Sequence, residues 1–143
     1  MKTIDIVKAY RIINDAKLTK MEDADKFKVI KATRQLKPVA ASFDEFVKEA
    51  QERLKPEGWD DMQKKARKWQ EDGDKSTLTV EERREINRYF TDYNAKVEEC
   101  VKEEAEKEPE LTYERLSEEA FGKFVASNDY DVRTIIELEN ILV

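Results

Sequence analysis

Acidic pairs such as Glu22/Asp25, Glu49/Glu52, Glu82/Glu85 and Glu103/Glu106 stand three residues apart. On a helix that spacing puts both carboxylates on one side, where their oxygens could hold Mg²⁺ for an all-helical nucleotide hydrolase. Acids are so frequent, 33 of 143 residues, that chance alone gives about seven such pairs. None of these pairs falls clearly on an apolar seam, where a buried site would have to be. The spacing therefore assigns no metal ligand. A carboxylate di-iron bundle is excluded more firmly, because its Glu-x-x-His ligand motif cannot be written in a chain without histidine.

The missing histidine also removes the commonest general base and the usual switch between pH 5 and 8. Chemistry at neutral pH would fall to shifted carboxylates, Lys, Tyr or the single thiol of Cys100. Cys100 lies in register with Ile86 and Tyr93, seven residues apart, where a small apolar side chain is expected; core filler is the better reading than nucleophile. The three glycines, Gly58, Gly73 and Gly122, are far apart and build no phosphate loop. No catalytic, cofactor-binding or metal-ligating residue is assigned, and a non-enzymatic protein is expected.

The elements that would position any site are helices. The apolar row Val29, Leu36, Phe43, Ala50 repeats every seven residues beside a second row of Ala32/Thr33, Val39/Ala40, Phe46/Val47 and Leu54. A second seam runs through Ile86, Tyr93 and Cys100, with Phe90 and Val97 alongside. Seven-residue rows are the pattern of helices that bury one edge against a neighbour. The spacing predicts long helices over 22–54 and 79–107, paired as an antiparallel hairpin. Pro38 should kink the first of these, or break it with a restart at Ser42–Glu45. Shorter helices are expected over 3–17, over Trp59–Trp69, after Ser117, and after Asp129 or Asp131. Thr19–Glu22 and Thr79–Glu82 match capping boxes at the two long starts. Residues 111–116 alternate weakly, so a short strand or extended segment is expected there. The fold class is all-α, as a single helical domain over residues 1–143.

Composition bounds the rest. With 27 basic and 33 acidic residues the net charge is −6, which argues against a general phosphate-binding surface and hence against a nucleic-acid partner. One cysteine cannot close an internal disulfide. Asp5, Lys8 and Arg11 interrupt any signal-peptide apolar core, and no stretch approaches the roughly 20 apolar residues needed to cross a bilayer. A cytoplasmic location with no membrane partner is expected.

Three surfaces could recruit a partner. The Trp59, Met62, Ala66, Trp69 face is read first as packing on the long helices and second as a docking surface. The run Lys64-Lys65-Ala66-Arg67-Lys68 is read as a solvated face. Glu98, Glu99, Glu103, Glu104, Glu106 and Glu108 crowd the end of the 79–107 helix, against the preference of the helix dipole. That acidic end is either a solubilising face or a nucleic-acid-mimicking surface.

The N-terminal amphipathic helix, the run Phe27-x-Val29 through Arg34-x-Leu36-x-Pro38 to Phe43, the second long helix with Tyr93 and Val97, and the short Leu/Phe-rich tail resemble a family of small uncharacterised helical proteins encoded by tailed phages and prophages. The resemblance implies a virion-associated, assembly-associated or host-interaction role and carries no catalytic residue with it. The loop from Gly73 to Leu78 and the acidic run before Pro109 lie outside it. The expected function is a protein-interaction or assembly module whose partner is another protein, and the heptad rows also admit a homo-oligomer. A Mg²⁺-dependent nucleotide hydrolase and an acidic nucleic-acid mimic are the alternatives.

Overall fold

A computed structural model describes residues 1–143. The chain is all-α, with helices α1 (Thr3–Ile13), α2 (Asp23–Arg53), α3 (Trp59–Asp72), α4 (Val80–Glu106), α5 (Glu118–Ala126) and α6 (Val132–Leu142), and one 3₁₀ turn at Gly73–Lys75. Its residues gather into two compact units, one formed by Met1–Glu45 with Glu103–Val143 and the other by Phe46–Lys102. No helix is long and apolar enough to cross a membrane.

In the first unit, Val29, Ala32 and Leu36 of α2 join Ile6, Ala9 and Ile13 of α1, Ala120, Phe121 and Phe124 of α5, and Leu138, Ile141 and Leu142 of α6 in one buried cluster. This stretch of the α2 seam is thus covered by three short helices. Phe121 and Phe124 stack with ring centroids 6.0 Å apart. Each such side chain contributes roughly 1.5–3 kcal/mol by leaving water. Polar bonds close the periphery. The Thr3 backbone N–H and hydroxyl both donate to the Lys107 carbonyl at 2.8 Å, just past the end of α4. Asn128 clamps Lys17, accepting from its N–H and donating to its carbonyl, each at 2.8 Å.

The second unit is organised by aromatics. Trp59 of α3 lies 4.6 Å from Tyr93, 5.4 Å from Phe90 and 6.2 Å from Tyr89, centroid to centroid. The Tyr93 hydroxyl donates to the Gln51 carbonyl at 2.7 Å, and Ala50, Ile86 and Tyr93 are buried. Gly58, immediately before α3, has φ +74°, the left-handed region that glycine enters without strain.

One sequence expectation is corrected and two are narrowed to one of their alternatives. Pro38 does not break α2, which runs on through Ser42 to Arg53. Pro38 and Arg34 are both exposed, so the Arg34 carbonyl that proline cannot serve lies on the solvent side, where water can bond it. Thr19–Glu22 does not cap α2, whose first residue is Asp23. The box residues are engaged by α5 and the turn after it: the Lys20 N–H donates to Ser127 Oγ at 3.0 Å and Glu22 takes the Lys123 ammonium at 3.3 Å. Of the two forms expected over 111–116, the strand is absent and a segment that is neither helix nor strand remains; single bonds to helices replace a ladder, the Tyr113 hydroxyl donating to the Ile141 carbonyl at 2.6 Å and the Leu116 N–H to the Leu142 carbonyl at 2.7 Å. The other caps stand as expected. Ser117 accepts from the Ala120 N–H at 3.1 Å, Asp131 from Thr134 at 2.8 Å and Thr79 from Glu82 at 3.1 Å.

Leu36→Ala, which empties a fully buried position, should cost about 2–5 kcal/mol in urea-induced unfolding. Pro38→Ala should act in the opposite sense. It restores one helix bond on an exposed face and should stabilise the protein by about 1–2 kcal/mol after the gain in unfolded-chain freedom is counted.

Candidate interaction surface

The side chains singled out for chemistry are dispersed. Glu22 pairs with Lys123, Asp25 with Lys28, and Glu52 with Lys55, while Glu82 takes a hydrogen bond from the Thr79 hydroxyl at the start of α4. Nowhere do three or more Asp, Glu or Cys side chains converge as a cation would require. Cys100 is half-buried and accepts an N–H from the Arg53 guanidinium at 3.2 Å. The shifted titrations also belong to separate packing and capping groups. Burial pushes the Tyr113 hydroxyl up, partly offset by Arg115, and the Thr134 backbone N–H holds the Asp131 carboxyl down.

Trp59 is occupied in packing against α4, and Trp69 lies under the Arg83 guanidinium at 5.8 Å. Of the basic run, Lys65 and Lys68 line a cavity of about 200 Å³ together with Trp69, Asp72 and residues Ser76–Leu78. On α4, Glu98, Glu99, Glu103 and Glu106 are exposed, whereas Glu104 pairs with Lys107 at 2.7 Å.

A different surface emerges on α2. Its residues 26–43 contain Lys26, Lys28, Lys31, Arg34 and Lys37 and not one acid, in a chain whose composition would supply about four acids to such a window. Burying Val29, Leu36 and Phe43 on one side of a 3.6-residue helix turns the opposite arc outward. That arc holds Phe27, Ile30, Lys31, Arg34, Lys37, Pro38 and Ala41. Phe27 is 62% exposed and Ile30 37%. Lys26 and Lys28 reach Asp23 at 3.7 Å and Glu114 at 3.4 Å respectively. Lys31, Arg34 and Lys37 have no carboxylate within ion-pair distance.

Along one edge of this arc runs a groove of about 240 Å³, in which Ile13, Ala16 and Leu18 face Val29, Ile30, Thr33 and Arg34. Its outer wall is the turn after α1, fixed by the Asn14 N–H to the Tyr10 carbonyl at 2.9 Å, the Ala16 N–H to the Ile13 carbonyl at 3.0 Å, and the Asn128 clamp on Lys17. The groove is therefore formed in the free protein. Two larger depressions in the same unit are less apolar. One of about 430 Å³ mixes Asp5, Lys8, Arg115 and Glu137, with Arg115 already donating to the Asn140 and Ile141 carbonyls. The other, about 560 Å³, spans Pro38, Phe43 and Pro109 with Glu104, Lys107 and Glu108.

Sequence reading missed this surface. It weighed Lys64–Lys68 because those cations are consecutive, whereas Lys31, Arg34 and Lys37 recur at three-residue intervals. The signal that could have found them is the acid-free window. Comparison with protein-family models, with curated proteins and with solved structures gives no match.

Because every altered side chain points to solvent, the triple variant Phe27→Glu/Lys31→Glu/Arg34→Glu should fold normally. Its unfolding free energy should stay within about 1.5 kcal/mol of the parent protein, at up to about 0.5 kcal/mol per surface substitution.

Proposed function

We propose that this protein is a non-enzymatic interaction module, a helical adaptor or assembly component that binds another protein through the outward arc of α2. The observation that carries the reading is the pairing of an exposed Phe27 and Ile30 with three cations, Lys31, Arg34 and Lys37, that no side chain of the chain neutralises. Single exposed apolar residues are ordinary. Phe27 and Ile30 stand one turn apart beside a groove and are rimmed by charge, which is the arrangement of an apolar contact with a polar rim. Burying Phe27 and Ile30 on binding would supply a few kcal/mol, at about 1.5–3 kcal/mol per large side chain fully removed from water.

One member or more of the Glu22/Asp25, Glu49/Glu52 and Glu82/Glu85 pairs is already engaged by a neighbour, which favours the interaction reading over the hydrolase alternative. A cytoplasmic setting suits the chain's single unpaired thiol. The likeness to phage and prophage helical proteins suits an assembly role, and the run that carries it, residues 27–43, includes most of the arc.

Affinity capture from the source cells should retain a specific protein on the parent chain and lose it on the Phe27→Glu/Lys31→Glu/Arg34→Glu variant. The same proteins recovered on both baits, or nothing on either, would refute the reading.

A further inference from the structure

We infer that the α2 groove and its cationic rim receive an acidic amphipathic helix from another protein; this deepens the interaction reading above and rests on it. The groove is small, about 240 Å³, with Ile13, Ala16, Leu18 and Ile30 on its apolar lining and Asn14 and Thr33 among them, so it takes aliphatic or aromatic side chains one or two at a time. Arg34 sits both on its wall and in the cation row. Lys31, Arg34 and Lys37 are spaced over six residues, or about 9 Å along α2, which a second helix matches with carboxylates at three- and four-residue intervals. The strip from Phe27 to Ala41 extends about 21 Å, the length of a partner helix of about 14 residues. An apolar edge entering the groove beside carboxylates on the cations is the helix-in-groove mode of recognition.

Other occupants fit less well. A second copy of the chain could offer the acidic end of α4, but Val97, Cys100, Val101 and Ala105 there are already half-buried. The copy's α6 exposes Val132 and Ile136, but its Glu137 is already taken by Arg133 at 3.6 Å, which leaves Glu139 as the one carboxylate of that helix free to meet three cations. Of the five cations in this stretch Lys26 and Lys28 already pair with Asp23, Asp25 and Glu114, and the three left free fall short of the four to eight that make a polybasic lipid anchor. A phosphate backbone would use the cations and leave the apolar groove unfilled.

The test is selection of the full-length protein against a displayed library of helical peptides of about 16 residues, randomised at every position. Selected peptides should carry Leu, Ile, Phe or Met at i, i+3 or i+4, and i+7, flanked by Asp and Glu. Their affinity should fall about tenfold or more for Lys31→Glu/Arg34→Glu and for Ile30→Glu, and should weaken steeply as salt rises from about 50 to about 500 mM. The milder Lys31→Gln/Arg34→Gln variant should show an intermediate loss, and unchanged melting curves would establish that all variants are folded. Peptides with neutral or basic faces, no selection above background, or equal binding by the variants would overturn the inference. So would saturable, Lys31- and Arg34-dependent binding to phosphatidylserine-containing vesicles or to a short DNA duplex. A protein captured through the α2 arc that presents no acidic helix would sink this inference and leave the interaction reading standing.

Discussion

The burial of one row on α2 governs what the rest of the protein can be. Val29, Leu36, Phe43 and Ala50 repeat every seven residues and all four are buried. A helix has one rotational degree of freedom about its axis, and fixing that row inward fixes every other α2 side chain as well. Pro38 survives inside a 31-residue helix because the same constraint turns it to solvent. The exposure of Phe27, Ile30, Lys31, Arg34 and Lys37 is the other consequence of the same rotation. The candidate surface and the core are two sides of one helix, so neither can move without the other.

Helix positions were legible because caps and periodicity are local. Ser117, Thr79 and Asp131 accept the amide bonds that their types and positions foretell, and the seven-residue rows mark both long helices. What the sequence misplaced or left open was tertiary in origin. Thr19–Glu22 has the composition of a capping box, but Lys20 and Glu22 find partners about a hundred residues away, at Ser127 and Lys123. Weak alternation at 111–116 arises because Leu111 and Tyr113 pack against the core from an extended chain, which gives period two without any neighbouring strand. A seven-residue seam also does not name its partner. Residues 29 to 36 are covered by α1, α5 and α6, whose apolar positions are too few per helix to advertise a pairing.

The surface was harder to read than the core. Whole-chain charge hides a local excess, since −6 overall is compatible with 18 consecutive residues free of acids. Phe27 was visible only as one residue among several carrying a resemblance, because exposure cannot be inferred for an aromatic two positions from a seam residue. Trp59 illustrates the converse. Its type suggested docking as readily as packing, and only three ring neighbours at 4.6 to 6.2 Å decide for packing.

The outward arc of α2 is also poor design for a helix that serves folding alone. Opposite charges at i and i+3 or i+4 are worth about 0.2–0.5 kcal/mol each, and like charges cost similar amounts. The chain uses such pairs elsewhere, in Glu52/Lys55, Glu104/Lys107 and Arg133/Glu137. With 33 acids available, it places none beside Lys31, Arg34 or Lys37 and adds an exposed Phe27 to the same strip. That arrangement adds no ion pair to the fold at these three positions. On the reading proposed above, a partner that brought its own carboxylates and apolar side chains would gain from both, because the cations are free to pair and the groove beside them is already shaped.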